Sequence, residues 1–175
     1  MQHGTAAATA AVPLNREEST VADYDKRLQE LGITLPPAAA PVANYVGYTV
    51  SGNLVFVSGQ LPFADGKVAV QGRVGSGLTV DDGYRAGRLC ALNLLAHLRA
   101  ACGGSLNKVS RVLRLGGFVC VAPDFVDAPK CVNGASDLMV EVFGDAGRHA
   151  RFAVGVATLP ANAAVEVDAT FEIKP

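Results

Sequence analysis

Half of the 175 residues are apolar, enough to bury one sizeable core and hardly two, and a formal net charge of −1 leaves no surplus of cations to neutralise a phosphate backbone. Nucleic acid is therefore not an expected partner, and with no run of about eighteen apolar residues neither is a membrane. Cys90, Cys102, Cys120 and Cys131, with His3, His97 and His149, show neither C-x-x-C nor zinc-ligand spacing. They fit buried free thiols in a reducing, cytoplasmic setting, without metal, cofactor or disulfide framework, organellar import being left open.

The first fifteen residues are rich in Ala and Thr, lack the charged segment of a secretory signal and read as a flexible tail. Ser19 or Thr20 can cap a short helix in which Val21, Tyr24, Leu28 and Leu31 fall at helical spacing, with Gly32 ending it. Pro36, Pro37 and Pro41 then make an extended linker, so residues 1–43 read as tail, helix and linker, and 44–175 as the domain. Residues 45–50 and 53–58 flank Ser51-Gly52 as a β-hairpin, followed by a short strand over 67–71. Thr79 caps a long helix running to about Ala101 and stopped by Gly103-Gly104. A strand over 109–121 and a helix over 132–143 follow, and strands over 151–158 and 163–171, joined by a Pro-Asn turn, close the chain. This order predicts an α+β fold, a sheet with its helices on one face. The other face, to which Val154, Val156, Val165 and Val167 are assigned, is expected to be buried by subunit association.

Arg151 and Glu166 stand on those closing strands. A guanidinium emerging from an apolar strand needs a carboxylate or other anion to offset its desolvation, so Arg151 leads the candidates for ligand binding. The bland alternative is an ion pair with Glu166 or Asp168. Tyr45 can equally be a strand-edge aromatic, Ser58 a strand-end turn residue and Asn133 the N-cap of the second core helix. His149 reads as an exposed loop residue, and Arg111 and Arg114 as a solvated strand face.

Three blocks carry a resemblance: residues 44–62 (NYVGYTVSGNLVFVSGQLP), 131–134 (CVNG), and 150–160 (ARFAVGVATLP) with 165–169 (VEVDA). Over about residues 44–172 the chain resembles the RidA/YjgF family of reactive intermediate deaminases, historically grouped with L-PSP endoribonucleases. The resemblance implies a chorismate-mutase-like fold, a mixed sheet with two core helices on one face, that trimerises around a central barrel, with ligand clefts between subunits. It implies hydrolysis of 2-imino or enamine acids to 2-keto acid and ammonia, with Arg151 binding the substrate carboxylate and Glu166 holding the hydrolytic water. Tyr45, Ser58, Gly59 and Asn133 fall on positions that line the family's cleft, and Ala153, often cysteine there, could offer only its backbone N–H. Phe152 replaces a small residue, His149 stands where proline is common, and the 123–130 loop looks longer than usual. A non-catalytic trimer that binds small carboxylates or acts as a chaperone is the alternative, and single-strand RNA cleavage a lesser one, since the chain offers neither paired histidines nor a basic groove.

Overall fold

Along Val165–Ile173, Val165, Val167, Ala169 and Phe171 are buried while Glu166, Asp168, Thr170 and Glu172 are not, the period of two of a strand with one covered face. That strand is the hub of the fold in the computed structural model, which describes residues 22–40 and 43–175. In chain order the elements are α1 (Tyr24–Glu30), β1 (Tyr48–Ser51), β2 (Leu54–Gln60), two short ribbons formed by β3 (Phe63–Ala64) with β4 (Lys67–Val68) and β5 (Arg73–Val74) with β6 (Gly77–Leu78), α2 (Val80–Ala101), β7 (Val109–Cys120), α3 (Ala128–Phe143), β8 (Ala150–Val156) and β9 (Val165–Ile173). The main sheet runs β1-β2-β9-β7-β8, with β8 parallel to β7 and every other pairing antiparallel. Both long helices pack on one face, α2 over β2 and β9, α3 over β7 and β8. This is the sheet with helices on one face that the order of elements predicts, mixed and carrying two core helices as the family resemblance implies.

Local chemistry sets the helices. Thr79 accepts from the Asp82 N–H while the Asp82 carboxylate accepts from the Thr79 N–H, a complete capping box for α2. α3 starts at Ala128, earlier than the apolar spacing indicates, because Pro129 sits in the first turn, where a missing N–H costs nothing. Asn133 is therefore inside the helix and not its cap, and the supposed long 123–130 loop gives its last three residues to α3. The two helices approach through glycines: a Cβ on Gly87 would lie 2.6 Å from the Cys131 carbonyl oxygen, and one on Gly134 would collide with the carbonyl of Tyr84. Backbone cannot yield as a side-chain tip can. Gly134→Ala is accordingly expected to lower unfolding stability by about 1–3 kcal/mol from overpacking, despite a helix-propensity gain of about 1 kcal/mol. A denaturant midpoint equal to wild type would contradict this reading of the helix contact.

Several sequence expectations are corrected by long-range packing. The closing strands do not pair with each other, because β7 lies between β8 and β9. Val165 and Val167 face the helices and are fully buried; the open face instead carries Phe56 and Val154, each 43% exposed, with Phe118 and Phe152 edge to face at 5.2 Å. β1 begins at Tyr48, leaving Tyr45 in a bend. There the ring of His97 lies so close beneath Gly47 that no Cβ would fit. The strand expected over 67–71 is only Lys67–Val68. Ser19, Thr20, Pro41 and the N-terminal tail lie outside the described residues; the cap of α1 is Asp23, which accepts from the Lys26 N–H at 3.0 Å. α1 is docked on the core, with Tyr24 edge to face against Phe143 at 4.8 Å and Leu28 buried. Among the described residues, no helix is long and apolar enough to cross a membrane.

Candidate functional site

Residues opposite one another on neighbouring strands share a face of the sheet. Arg151 is opposite Leu115, which is fully buried beneath the helices, whereas Glu166 is opposite Phe118, three positions further along β7 and so on the open face. The two charges thus project from opposite faces of one sheet, with β7 between their strands. Within one chain they do not meet.

The Arg151 half of the site is held by α3. Nη1 donates to Asn133 Oδ1 at 2.9 Å and to Ser136 Oγ at 2.9 Å, and Nη2 donates to the Pro129 carbonyl at 3.4 Å. Asn133 and Ser136 are one helical turn apart and so present the same face to β8. A guanidinium carries five N–H donors; with three engaged, Nε and Nη2 each keep one N–H without an acceptor among the described residues. Those two nitrogens form one edge of the guanidinium, the fork that grips a carboxylate with two parallel hydrogen bonds. Neither carboxylate proposed as an ion-pair partner takes that role: Asp168 pairs with Arg114 at 3.5 Å, and among the described residues Glu166 forms no salt bridge. Arg114 also lies 4.9 Å above the Phe152 ring, which fixes Phe152 on the open face. Arg111 pairs with Glu172 at 3.1 Å. Ala153, opposite Gly117 in β8, packs half-buried against the core beside Arg151.

The Glu166 half lies across the sheet. Glu166 is half-buried, and burial first, then the charge of Asp168 two residues on, raises its carboxyl above the ordinary value. Gly59 sits where the register of β2 against β9 slips between Val57 and Gln60, and a Cβ there would strike the Glu166 carboxylate. Glycine at 59 is thus what lets Glu166 lie flat over the strand. Ser58 donates its hydroxyl to the Val46 carbonyl at 2.6 Å and its N–H to the Gly47 carbonyl at 3.0 Å, tying the 45–47 bend to β2. Tyr45, on that bend, is 53% exposed. The predicted residues therefore fall into two groups, Arg151, Asn133 and Ala153 against Glu166, Gly59, Ser58 and Tyr45.

Sequence reasoning missed Ser136 and misjudged His149. His149 is half-buried, its Nε2 lies 3.0 Å from Ser136 Oγ and its Nδ1 2.6 Å from the Gly147 carbonyl. The spacing of Asn133 and Ser136 was the available signal. All four cysteines are free and buried, and burial pushes the Cys131 thiol up to about 11, in keeping with a core residue. Among the described residues no group of three or more metal-ligating side chains occurs.

Residues 25–172 match the family model described as "YjgF/chorismate mutase-like, putative endoribonuclease". The chain is 52% identical over 147 residues to Protein TCP17 of Trypanosoma cruzi, spanning 83% of this chain and 91% of that one. The crystal structure of Atu1372 from Agrobacterium tumefaciens, a protein of unknown function, superposes with a TM-score of 0.81 at 53% identity over 86% of this chain and 92% of its own. A Shewanella oneidensis MR-1 protein that carries the same endoribonuclease description superposes at 0.83 with 38% identity, covering 86% and 99%. The chain belongs to the YjgF/RidA family.

Proposed function

We propose that this protein is a hydrolytic deaminase that converts 2-imino and enamine acids to 2-keto acids and ammonia, at sites shared between the chains of a homotrimer. The observation that carries the reading is the guanidinium of Arg151. Anchored through Nη1 by Asn133 and Ser136, it keeps N–H groups on Nε and Nη2 without an acceptor among the described residues, an arrangement that fits the carboxylate of a small acid. The carboxylate of a 2-imino acid is bonded to the electrophilic carbon, so gripping one end fixes the other for attack.

The chemistry asks little more. Water adds through its oxygen to the iminium carbon and Glu166 takes the proton that water loses; Glu166 then returns that proton to the amine nitrogen, and the carbinolamine expels ammonia as the C–N bond breaks and its hydroxyl gives up its proton to Glu166 to become the carbonyl. Glu166 suits the task because its raised proton affinity brings it nearer to that of the water it must deprotonate. A shared site is supported by the separation of Arg151 and Glu166 on opposite faces and by the exposed Phe56 and Val154, which association would cover.

The test is release of keto acid and ammonia from imino acids generated in situ by an amino-acid oxidase. Wild type is expected to accelerate release, and Arg151→Ala to reduce it to the uncatalysed rate. A wild-type protein that leaves the rate unchanged across several side chains would end the deaminase reading in favour of a carboxylate-binding trimer.

A further inference from the structure

We propose that His149 and Ser136 are positioning residues that hold the Arg151 guanidinium in its ligand-ready orientation before any ligand arrives. The inference rests on the reading of Arg151 as the carboxylate clamp and adds two residues to it.

The polarity of the hydrogen-bond chain is decided by its end. A carbonyl oxygen only accepts, so the 2.6 Å contact with Gly147 puts the proton of a neutral His149 on Nδ1. Nε2 then offers a lone pair, and the Ser136 hydroxyl 3.0 Å away donates to it. With its hydrogen so committed, the Ser136 oxygen turns a lone pair to Nη1 of Arg151 at 2.9 Å. Donation thus runs from Arg151 to Ser136 to His149 to the backbone, with no donor facing a donor. Desolvation lowers the His149 pKa, the Gly147 hydrogen bond opposes this, and the charge of Arg151 lowers it further, in keeping with the neutral ring that this polarity requires.

The arrangement matters because arginine is long and rich in rotamers. Without Ser136, Nη1 would keep only Asn133, and the longer 3.4 Å contact of Nη2 with the Pro129 carbonyl would hold the guanidinium plane less firmly. Two acceptors on Nη1, Asn133 and the histidine-oriented Ser136, fix its plane and so aim the Nε and Nη2 edge. Ordering completed in the free protein need not be drawn from binding energy.

The experiment uses the full-length protein, calorimetric titration with 2-oxobutanoate, and 15N relaxation of the Arg151 side-chain Nε. Ser136→Ala and His149→Phe are expected to weaken 2-oxobutanoate binding by about tenfold, the scale of one hydrogen bond to a charged group, and to raise KM for the imine while kcat changes far less. Both are also expected to increase the mobility of Nε in the free protein. His149→Gln, whose amide oxygen can accept the Ser136 hydroxyl, is expected to restore binding to within about threefold of wild type. If Arg151→Ala loses the ligand but Ser136→Ala and His149→Phe bind like wild type with an equally rigid Nε, the positioning role is refuted and the clamp stands. If Arg151→Ala binds like wild type, the clamp itself fails and this proposal with it. Ser136→Ala removes only an oxygen, so it remains informative should His149→Phe fail to fold.

Discussion

Replacing Glu166 with glutamine is expected to slow imine hydrolysis by about 10²–10⁴-fold, the usual worth of a positioned base, and to leave the protein as stable at neutral pH as wild type or more so. The two halves of this expectation have one cause. Burial and the neighbouring Asp168 hold the Glu166 carboxyl above its ordinary value, so the fold disfavours the charged form. A group whose folded value is raised adds stability at low pH and loses it as the pH climbs from the unfolded value through the folded one. Above that window wild type bears the full cost of an ionised, half-buried carboxylate, which the neutral amide of the E166Q variant avoids. Activity has the reverse dependence. The base works only when ionised, so wild-type kcat/KM should fall on the acid side along a limb displaced upward from the ordinary glutamate value, and E166Q should lack that limb. Thermal melts and rate profiles across pH measure both. A variant that keeps its rate, or that melts lower at neutral pH while remaining acid-stable, would show that Glu166 is a structural partner and no base.

Features with local causes were legible in the sequence. The N-cap at Thr79, the glycine stop after Ala101 and the hairpin turn at Gly52 all involve residues within a turn or two of each other, and the structure holds all three. What the sequence hid was partnership between distant segments. Nothing in the periodicity of β8 and β9 says that β7 will insert between them, yet that insertion sends Arg151 and Glu166 to opposite faces and buries Val165 and Val167. Motif matching singled out both charges but carried no information on their sides of the sheet. His149 does lie in a loop, but its exposure was misjudged for the same reason: its partner Ser136 lies on another element, and a loop histidine read alone looks solvent-exposed. Asn133 was placed at a helix start because apolar spacing begins at Val132, whereas the real start was written in Asp127-Ala-Pro129.

Separation of the charges on opposite faces leads to the sharpest expectation. Arg151→Ala, expected at the uncatalysed rate, and E166Q, expected to be slowed about 10²–10⁴-fold, should recover activity when the two proteins are unfolded, mixed in equal amounts and refolded together. In the proposed cyclic trimer each site would take its arginine from one chain and its glutamate from the next, so random mixing would give an intact pair in about one half times one half, or about a quarter, of the sites. The imine assay should then read about a quarter of the wild-type rate, and mixing the folded proteins without an unfolding step should restore it only as fast as subunits exchange. A site confined to one chain cannot respond this way, because every chain in the mixture lacks one of the two groups. Mixed assemblies that form, as shown by differently tagged chains co-purifying, and yet stay inactive would place Arg151 and Glu166 in separate roles and overturn the shared site.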